Sequence, residues 1–202
     1  MFVKERQFLR SYMGRMVDLL EMSETRTEDI CAVRNMVCIA AANGGRTVIV
    51  GNGGSAGIAS HLAIDFSKNA GIPAITFSDP CQITCLANDF GFEHWLAHAI
   101  RLNCRGSDVL IAISSSGRSA NIINGVKSAR SLGMGVATLS GMAPDNPLRA
   151  MGDVNLFADS RSYNLIETAH QFWLMAVVDL IIGETDYQAD RVVGPLAETP
   201  SV

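Results

Sequence analysis

The sequence predicts an α/β protein, a three-layer α-β-α sandwich around a five-stranded parallel sheet, with additional helices at the N-terminus. Short runs of β-branched and aliphatic residues alternate with longer segments of helical periodicity, a pattern typical of right-handed βα crossovers. Two of these runs are followed directly by a glycine-rich or serine-rich turn and then by a helix. With 202 residues and 48% hydrophobic residues, the chain can form one such domain with a full core.

The first 45 residues are predicted to form two helices that have no place in a βα repeat. Apolar residues recur at helical spacing through residues 2–22, namely at Phe2, Phe8, Leu9, Tyr12, Met16, Leu19 and Leu20. After a polar break at residues 23–27, a second helix is expected over residues 30–42, ended by glycines. We expect these helices to mediate association between subunits. The simpler alternative is that they only cover one face of the sheet.

The remaining elements follow from the alternation of apolar runs with turn residues. Strands are predicted at residues 47–50, 73–77, 109–113, 135–139 and 154–157. Helices are predicted up to residue 66 after the first turn and at residues 81–87, 92–102, 120–132 and 163–182. The NDFGF segment, residues 88–92, is expected to contain a turn. Residues 184–202 contain two prolines and no periodicity, and we expect a mobile tail there.

Composition and charge argue against several classes of function. The net charge is −4, the isoelectric point is near 5.5, and no basic run occurs, so we expect no nucleic-acid partner. The five cysteines form no CxxC pair, which favours reduced thiols. The segment MFVKERQFLR is charged, so we expect no signal peptide, and we expect no apolar run long enough to span a bilayer. We therefore expect a cytoplasmic protein that does not bind membranes.

Two strand–turn–helix segments have the composition of an anion-binding site. The glycine loop, residues 51–55 with the sequence GNGGS, follows the first strand, and Ser55 is expected to cap the next helix. The serine loop, residues 114–119 with the sequence SSSGRS, follows the third strand. Such turns present backbone N–H groups and the positive end of a helix dipole to a ligand. Because ligands bind beyond the carboxyl ends of parallel strands, one ligand is expected to bridge both loops.

Candidate catalytic side chains lie on the helix after the glycine loop and on the last long helix. His61 and Asp65 are spaced i,i+4 on the helix after the glycine loop, so they share a face, and we favour a site role over a surface pair. On the last long helix, Glu167 and His170 are spaced i,i+3. For His170 we favour a hydrogen bond between two helices over a role in the site.

These segments together resemble the sugar isomerase (SIS) domain family. GNGGSAGIASHLAIDF, NDFGF and ISSSGRSAN resemble in particular the bacterial phosphoheptose isomerases, which convert sedoheptulose 7-phosphate into glycero-manno-heptose 7-phosphate. The resemblance implies a flavodoxin-like fold and a homotetramer with the N-terminal helices at its centre and active sites at subunit boundaries. The same branch also contains a protein that binds the replication initiator DnaA and is not an enzyme, so the fold alone leaves the chemistry open.

The resemblance also implies which residues bind substrate. The phosphate would be bound by serine-loop hydroxyls, at Ser114, Ser115, Ser116 and Ser119. The sugar would be lined by Asn52, Gly53, Gly54 and Ser55, with Asn88 and Asp89 nearby. Serine hydroxyls and backbone N–H groups can bind a phosphate without a lysine.

The chain departs from the family pattern where the family places its acid–base and zinc-binding side chains. Asp65 stands where the family has Glu, which shortens the side chain by about 1.5 Å. Glu167 stands where the family has Gln, Met175 where it has His, and Asn164 where it has Asp. Methionine cannot transfer a proton at neutral pH and is a poor zinc ligand beside oxygen and nitrogen donors.

Two alternatives follow from these departures. In the first, the site is rebuilt: Asp65 and Glu167 are the acid–base residues, and His61 orients them, or all three bind a metal ion such as zinc with one open coordination position. The chain is then an aldose–ketose isomerase for sedoheptulose 7-phosphate or a related sugar phosphate. In the second, catalysis is lost and the chain binds a sugar phosphate or a protein partner. We favour the first, because the acidic side chain of Glu167 can supply the missing base.

Overall fold

The computed structural model describes residues 2–21 and 24–187. In these ranges the helices are α1 (Phe2–Leu20), α2 (Glu24–Ala42), α3 (Gly54–Lys68), α4 (Pro80–Phe90), α5 (Trp95–Asn103), α6 (Ala120–Ser131) and α7 (Tyr163–Ile182). The strands are β1 (Thr47–Val50), β2 (Ala74–Thr76), β3 (Val109–Ser114), β4 (Gly135–Gly141) and β5 (Val154–Ala158). A short 3-10 turn, Pro147–Ala150, lies between β4 and β5. All five predicted strands are present.

The five strands form one parallel sheet in the order β2-β1-β3-β4-β5. The chain leaves β1 towards β2 at one edge and then returns to β3 on the other side of β1. This reversal places a topological switch point between β1 and β3, where α/β proteins bind ligands at the carboxyl ends of the strands. The glycine loop follows β1 and the serine loop follows β3, so the sheet topology brings the two loops together.

Helices cover both faces of the sheet and divide the core into two clusters. On one face, α2, α3 and α7 pack with alternate side chains of β1 and β3, among them Ile49 and Ile111. On the other face, α5 and α6 pack with the intervening side chains, among them Val48 and Leu110. Both faces of β1 and β3 are buried along their whole length, which explains their unbroken apolar runs. The predicted three-layer sandwich is confirmed.

The second N-terminal helix begins earlier than the sequence indicates. Residues 24–27 belong to α2 rather than to a polar break. Arg26 explains part of the difference, because its guanidinium lies 4.4 Å from the ring centroid of Trp173 and donates to the carbonyl of Leu19. These tertiary contacts favour helix where composition alone favours a cap. The association role of α1 and α2 remains a prediction.

The NDFGF segment is mostly helical rather than a turn. Asn88, Asp89 and Phe90 form the last turn of α4, and Gly91 ends it with a φ of 83°, which only glycine adopts readily. The following helix, α5, begins at Trp95 instead of residue 92. The turn is therefore limited to the residues around Gly91.

Helix α7 is long and apolar enough by length and composition to cross a membrane, contrary to the sequence-based expectation. It is nevertheless a core helix by position, because eight of its side chains, including Trp173 and Leu174, are buried against the sheet and α2. The helix ends at Gly183, which adopts the left-handed conformation, as the sequence predicts. Of the predicted mobile tail, residues 188–202 lie outside the described residues.

Candidate active site

A small polar cavity of about 130 Å³ lies at the switch point and opens to solvent. It lies at the carboxyl ends of β1 and β3 and is bounded on its third side by the first turns of α7. Its lining residues are Asn52, Ser55, Ile113, Ser114, Ser115, Ser116, Ser119, Tyr163 and Glu167. Six of the side chains predicted to bind substrate therefore meet in one place with Glu167, the predicted acid–base residue.

The glycine loop turns the chain from β1 into α3 with a positive φ of 54° at Gly53. Gly53, rather than Ser55, is the N-cap, so the prediction for Ser55 is wrong: Ser55 lies inside the first turn and is buried. Since Gly53 has no side chain, no capping group blocks the N–H groups at the start of α3. These donors remain available to a ligand in the cavity.

The serine loop is a tight turn closed by a hydrogen bond from the Gly117 N–H to the Ser114 carbonyl. Gly117 has a φ of 62°, and any side chain there would overlap the amide of Asn146. The Leu148 N–H also donates to the Gly117 carbonyl at 3.1 Å. The segment after β4 therefore supports the loop from behind and holds its hydroxyls towards the cavity.

The serine hydroxyls are placed to bind an anion. Ser114 donates to the Ser119 hydroxyl at 3.2 Å, and Ser119 caps α6 without a side-chain hydrogen bond to that helix. The Ser115 hydroxyl is buried and has no protein partner within the described residues. A buried hydroxyl without a partner is costly, and a bound phosphate oxygen would supply one. Two helix N-termini and an unpartnered hydroxyl thus point to the same anion.

Helix α7 supplies the only titratable side chains among the residues that line this cavity, Tyr163 and Glu167. The Glu167 carboxylate lies against Gly54, at a position that the Cβ of any other residue at 54 would occupy. Tyr163 is half-exposed at the mouth of the cavity. Sequence reasoning missed Tyr163, although its spacing of i,i+4 from Glu167 indicates that the two share a helix face.

His61 and Asp65 share a face of α3, as their spacing predicts, but they form a surface pair outside the cavity of their own chain rather than the site residues that we expected. His61 Nε2 is 3.2 Å from Asp65 Oδ2, and His61 Nδ1 is 3.2 Å from Nε2 of Gln171. His61 is seven residues beyond Gly54 on α3, about 10 Å of helix rise, and Asp65 is about 16 Å along. The two side chains therefore do not reach the serine loop of their own chain.

A polar network continues from Asp65 to the end of α7. Asn69 Nδ2 donates to Asp65 Oδ1 at 3.1 Å and to the Tyr187 hydroxyl at 3.4 Å. Tyr187 is also hydrogen-bonded to Asp179. Burial, with the nearby charge of Asp65, raises the pKa of Asp179 above its ordinary value. The face formed by α3 and α7 thus has a concentration of acidic groups near its end.

Met175 lies in an apolar groove on the same face, with a volume of about 600 Å³. The groove is lined by Phe172, Met175, Ala176, Asp179, Leu180, Gly183, Glu184 and Thr185. Phe172 and Leu180 are each nearly half-exposed. Met175 therefore presents its thioether to an apolar surface.

The predicted zinc ligands do not form one group. Glu167 faces the serine loop, whereas His61 and Asp65 pair with each other and with Gln171. Across residues 2–21 and 24–187 there is no cluster of three His, Cys, Asp or Glu side chains that could hold a metal ion. Within these residues, the donor set of a single chain therefore does not fit zinc.

Three other residues lie away from the cavity. Asn88 and Asp89 are exposed at the end of α4, where Asn88 Nδ2 donates to Asp89 Oδ1, so the structure does not bring them to the cavity of their own chain. His170 is fully buried, with Nε2 3.1 Å from the Ser140 carbonyl. The Ser140 carbonyl belongs to β4, so His170 bonds to the sheet and not, as we expected, to another helix. Burial lowers the pKa of His170 to about 4.

Comparisons with known proteins agree with this geometry. Residues 11–141 match the model of the SIS domain family. A phosphoheptose isomerase from Serratia proteamaculans (strain 568) is 35% identical over 141 residues, which are 66% of this chain and 73% of that protein. The structure of a phosphoheptose isomerase from Neisseria gonorrhoeae superimposes with a TM-score of 0.80 at 28% identity, covering 87% of this chain and 98% of the other.

The fold and the switch-point cavity define a SIS-domain protein, and the chain belongs to that family. Within it, the chain is similar to phosphoheptose isomerases: a second structure, from Francisella tularensis, has a TM-score of 0.80 at 25% identity and covers 91% of this chain and 98% of the other.

Proposed function

We propose that this chain is a phosphosugar isomerase that interconverts a ketose phosphate and an aldose phosphate, with sedoheptulose 7-phosphate as the candidate substrate. The observation that supports this most is the cavity in which the glycine loop, the serine loop and the Glu167 carboxylate converge. A phosphate fits the donors of the two loops, and a carboxylate beside it can act as a general base. The similarity to phosphoheptose isomerases supports the same class of reaction.

In the proposed reaction, the serine loop and the N-termini of α3 and α6 bind the phosphate and fix the orientation of the sugar. The Glu167 carboxylate removes a proton from carbon 1 of the ketose, which gives an enediolate. The same carboxyl group returns the proton to carbon 2, while a proton moves from oxygen 1 to oxygen 2. Proton transfer of this kind by one positioned carboxylate contributes about 10²- to 10⁴-fold to a rate.

We further propose that His61 and Asp65 act on the substrate bound by a second copy of the chain, in a cytoplasmic homotetramer. Within one chain these side chains lie about 10–16 Å along α3 from the cavity. Asp65 is near enough to Asp179, which lines the apolar groove of α7, to raise its pKa, and α1 exposes a row of apolar side chains. Association through these surfaces would bury apolar area and bring one copy's His61–Asp65 pair towards another copy's cavity.

The test is turnover of sedoheptulose 7-phosphate by the purified full chain, followed by NMR, with a chelator and again with added zinc. Appearance of the aldose phosphate is expected, and equal rates in both conditions would support chemistry by side chains alone. Turnover that requires zinc would instead establish a metal site built between subunits. Saturable binding without turnover would reject the isomerase proposal and favour the alternative of a sugar-phosphate-binding adaptor.

A further inference from the structure

Two asparagine side chains join the glycine loop to the helix after the serine loop. Asn52 Nδ2 donates to Asn121 Oδ1 at 2.9 Å, and Asn121 Nδ2 donates to Asn52 Oδ1 at 2.8 Å. Each amide thus uses one donor and its acceptor on the other, in a closed pair. Asn52 lies two residues beyond β1, and Asn121 lies in the first turn of α6, beyond β3. The pair therefore spans the switch point.

The burial of Asn121 indicates that this pair is not a chance surface contact. Only 2% of Asn121 is exposed, and a buried amide needs its hydrogen bonds. Asn52 supplies them from the opposite loop. Neither residue could be replaced by an aliphatic side chain without leaving the other amide unsatisfied.

We infer that Asn121 is a positioning residue that, through Asn52, holds the glycine loop and the serine loop in the relative placement needed to bind one phosphate. This inference deepens the proposed function and rests on it for the identity of the ligand. The physical requirement is geometric: N–H donors from both loops must lie within about 3.2 Å of oxygens on the same phosphate. A shift of about 1 Å between the loops would break the contacts from one side.

The pair also changes the expectation for Asn52. The sequence-based role of Asn52 is to bind the sugar directly, but Asn121 takes up its carbonyl oxygen and one of its N–H groups. At most one N–H and one lone pair of Asn52 remain for a ligand. The main contribution of Asn52 is therefore to fix the position of the glycine loop, and a contact with the sugar is secondary.

The test uses the full chain and two readouts, amide hydrogen exchange and the affinity for inorganic phosphate. Asn121→Ala and Asn52→Ala should each accelerate exchange at residues 51–55 and 114–119 and weaken phosphate binding about tenfold, the equivalent of about 1.4 kcal/mol. The double variant should bind phosphate as tightly as either single variant, because the two side chains act as one unit. Asn124→Ala, on the same helix but bonded to the Glu93 carbonyl, is the matched control and should change neither readout.

Each contrary result has a distinct meaning. Unchanged exchange in both loops would overturn the inference, and so would faster exchange in a variant that binds phosphate as tightly as the wild type. Wild-type protein that binds neither phosphate nor sedoheptulose 7-phosphate would reject the proposed function, while the exchange data would still decide whether the pair holds the loops together. If Asn121→Ala does not fold, Asn52→Ala, at the less buried position, provides the same comparison.

Discussion

The carboxylate of Glu167 lies directly against Gly54, in the space that a Cβ at position 54 would occupy. The absence of a side chain at the start of α3 therefore allows the carboxylate of α7 to reach the cavity. Gly54→Ala should displace the carboxylate, which is the far end of a flexible side chain, and leave the fold intact. Because a misplacement of about 1 Å can cost about 10²-fold in rate, we expect a large loss of turnover with little change in melting temperature.

The matched control for that variant is Gly57→Ala, one turn further along α3. Beyond the neighbouring residues and the backbone of α3 itself, no atom lies within 4 Å of a Cβ placed there. In a helix interior, replacing glycine by alanine stabilises by about 0.5–1 kcal/mol, so Gly57→Ala should raise the melting temperature slightly and preserve turnover. If both variants lose activity equally, the contact between Gly54 and Glu167 has no special role.

Glu167→Gln should remove the proposed base while keeping the shape of the side chain. The expected result is a fall in kcat of about 10²- to 10⁴-fold with a nearly unchanged KM, because the phosphate donors remain. Steady-state kinetics on sedoheptulose 7-phosphate will measure both constants, with Glu93→Gln, at an exposed position, as the control. A variant that raises KM alone would make Glu167 a binding group instead of a base.

Ser115→Ala should separate ligand binding from stability. The Ser115 hydroxyl is buried without a protein partner, so its removal should leave the free energy of unfolding unchanged or slightly higher. Phosphosugar affinity should nevertheless fall about tenfold, through loss of one charge-assisted hydrogen bond. Ser128→Ala is the converse control: that hydroxyl donates to the Ala97 carbonyl, so stability should fall while affinity stays. Calorimetry with the sugar phosphate and urea unfolding distinguish the two effects.

Stability should decrease in acid because of His170. Burial lowers its pKa to about 4 in the folded chain, whereas an unfolded histidine titrates near pH 6.5. Between pH 6.5 and pH 4 the unfolded state therefore binds more protons than the folded state. The free energy of unfolding falls by up to about 3 kcal/mol over that pH range. Urea unfolding at pH 7.0 and 4.5 measures this difference. His170→Gln keeps a donor for the Ser140 carbonyl, and its free energy of unfolding should differ less between the two pH values.

The apolar face of α1 should determine the oligomeric state. Its exposed side chains are Phe2, Val3, Phe8, Leu9, Met13 and Val17. Phe8→Glu should place a charge in the proposed subunit contact and dissociate the tetramer, which light scattering after size-exclusion chromatography would detect. Lys4→Glu, on the same helix but not in the apolar row, serves as the control. A monomeric wild type would contradict the proposed assembly.

Local sequence patterns were sufficient for the sheet and for both loops. The strands of the central pair are buried on both sides, so their apolar runs are unambiguous, and Gly183 marks the end of α7. The incorrect boundaries have one long-range and one local cause. Arg26 is helical because it packs on Trp173, and Asn88 and Asp89 are helical because only Gly91 breaks α4.

The candidate site was predictable only as far as its parts are local. The spacing of His61 and Asp65 predicts that they share a helix face, which their 3.2 Å contact confirms. It gives no information on how far that pair lies from the serine loop, because the distance depends on how α3 and α7 pack. Tyr163 was missed for the same reason, since α7 is distant in sequence from both loops. The role of Asn121 was missed because its partner, Asn52, lies 69 residues away.

The separation between His61 and the cavity of its own chain has a genetic consequence. If each active site combines the Glu167 of one subunit with the His61 of another, two defective alleles can compensate for one another. Chains with Glu167→Gln and chains with His61→Ala would each be inactive alone, yet a mixed assembly would contain sites with both native side chains. Co-expression of the two alleles should then restore part of the turnover that neither allele provides by itself.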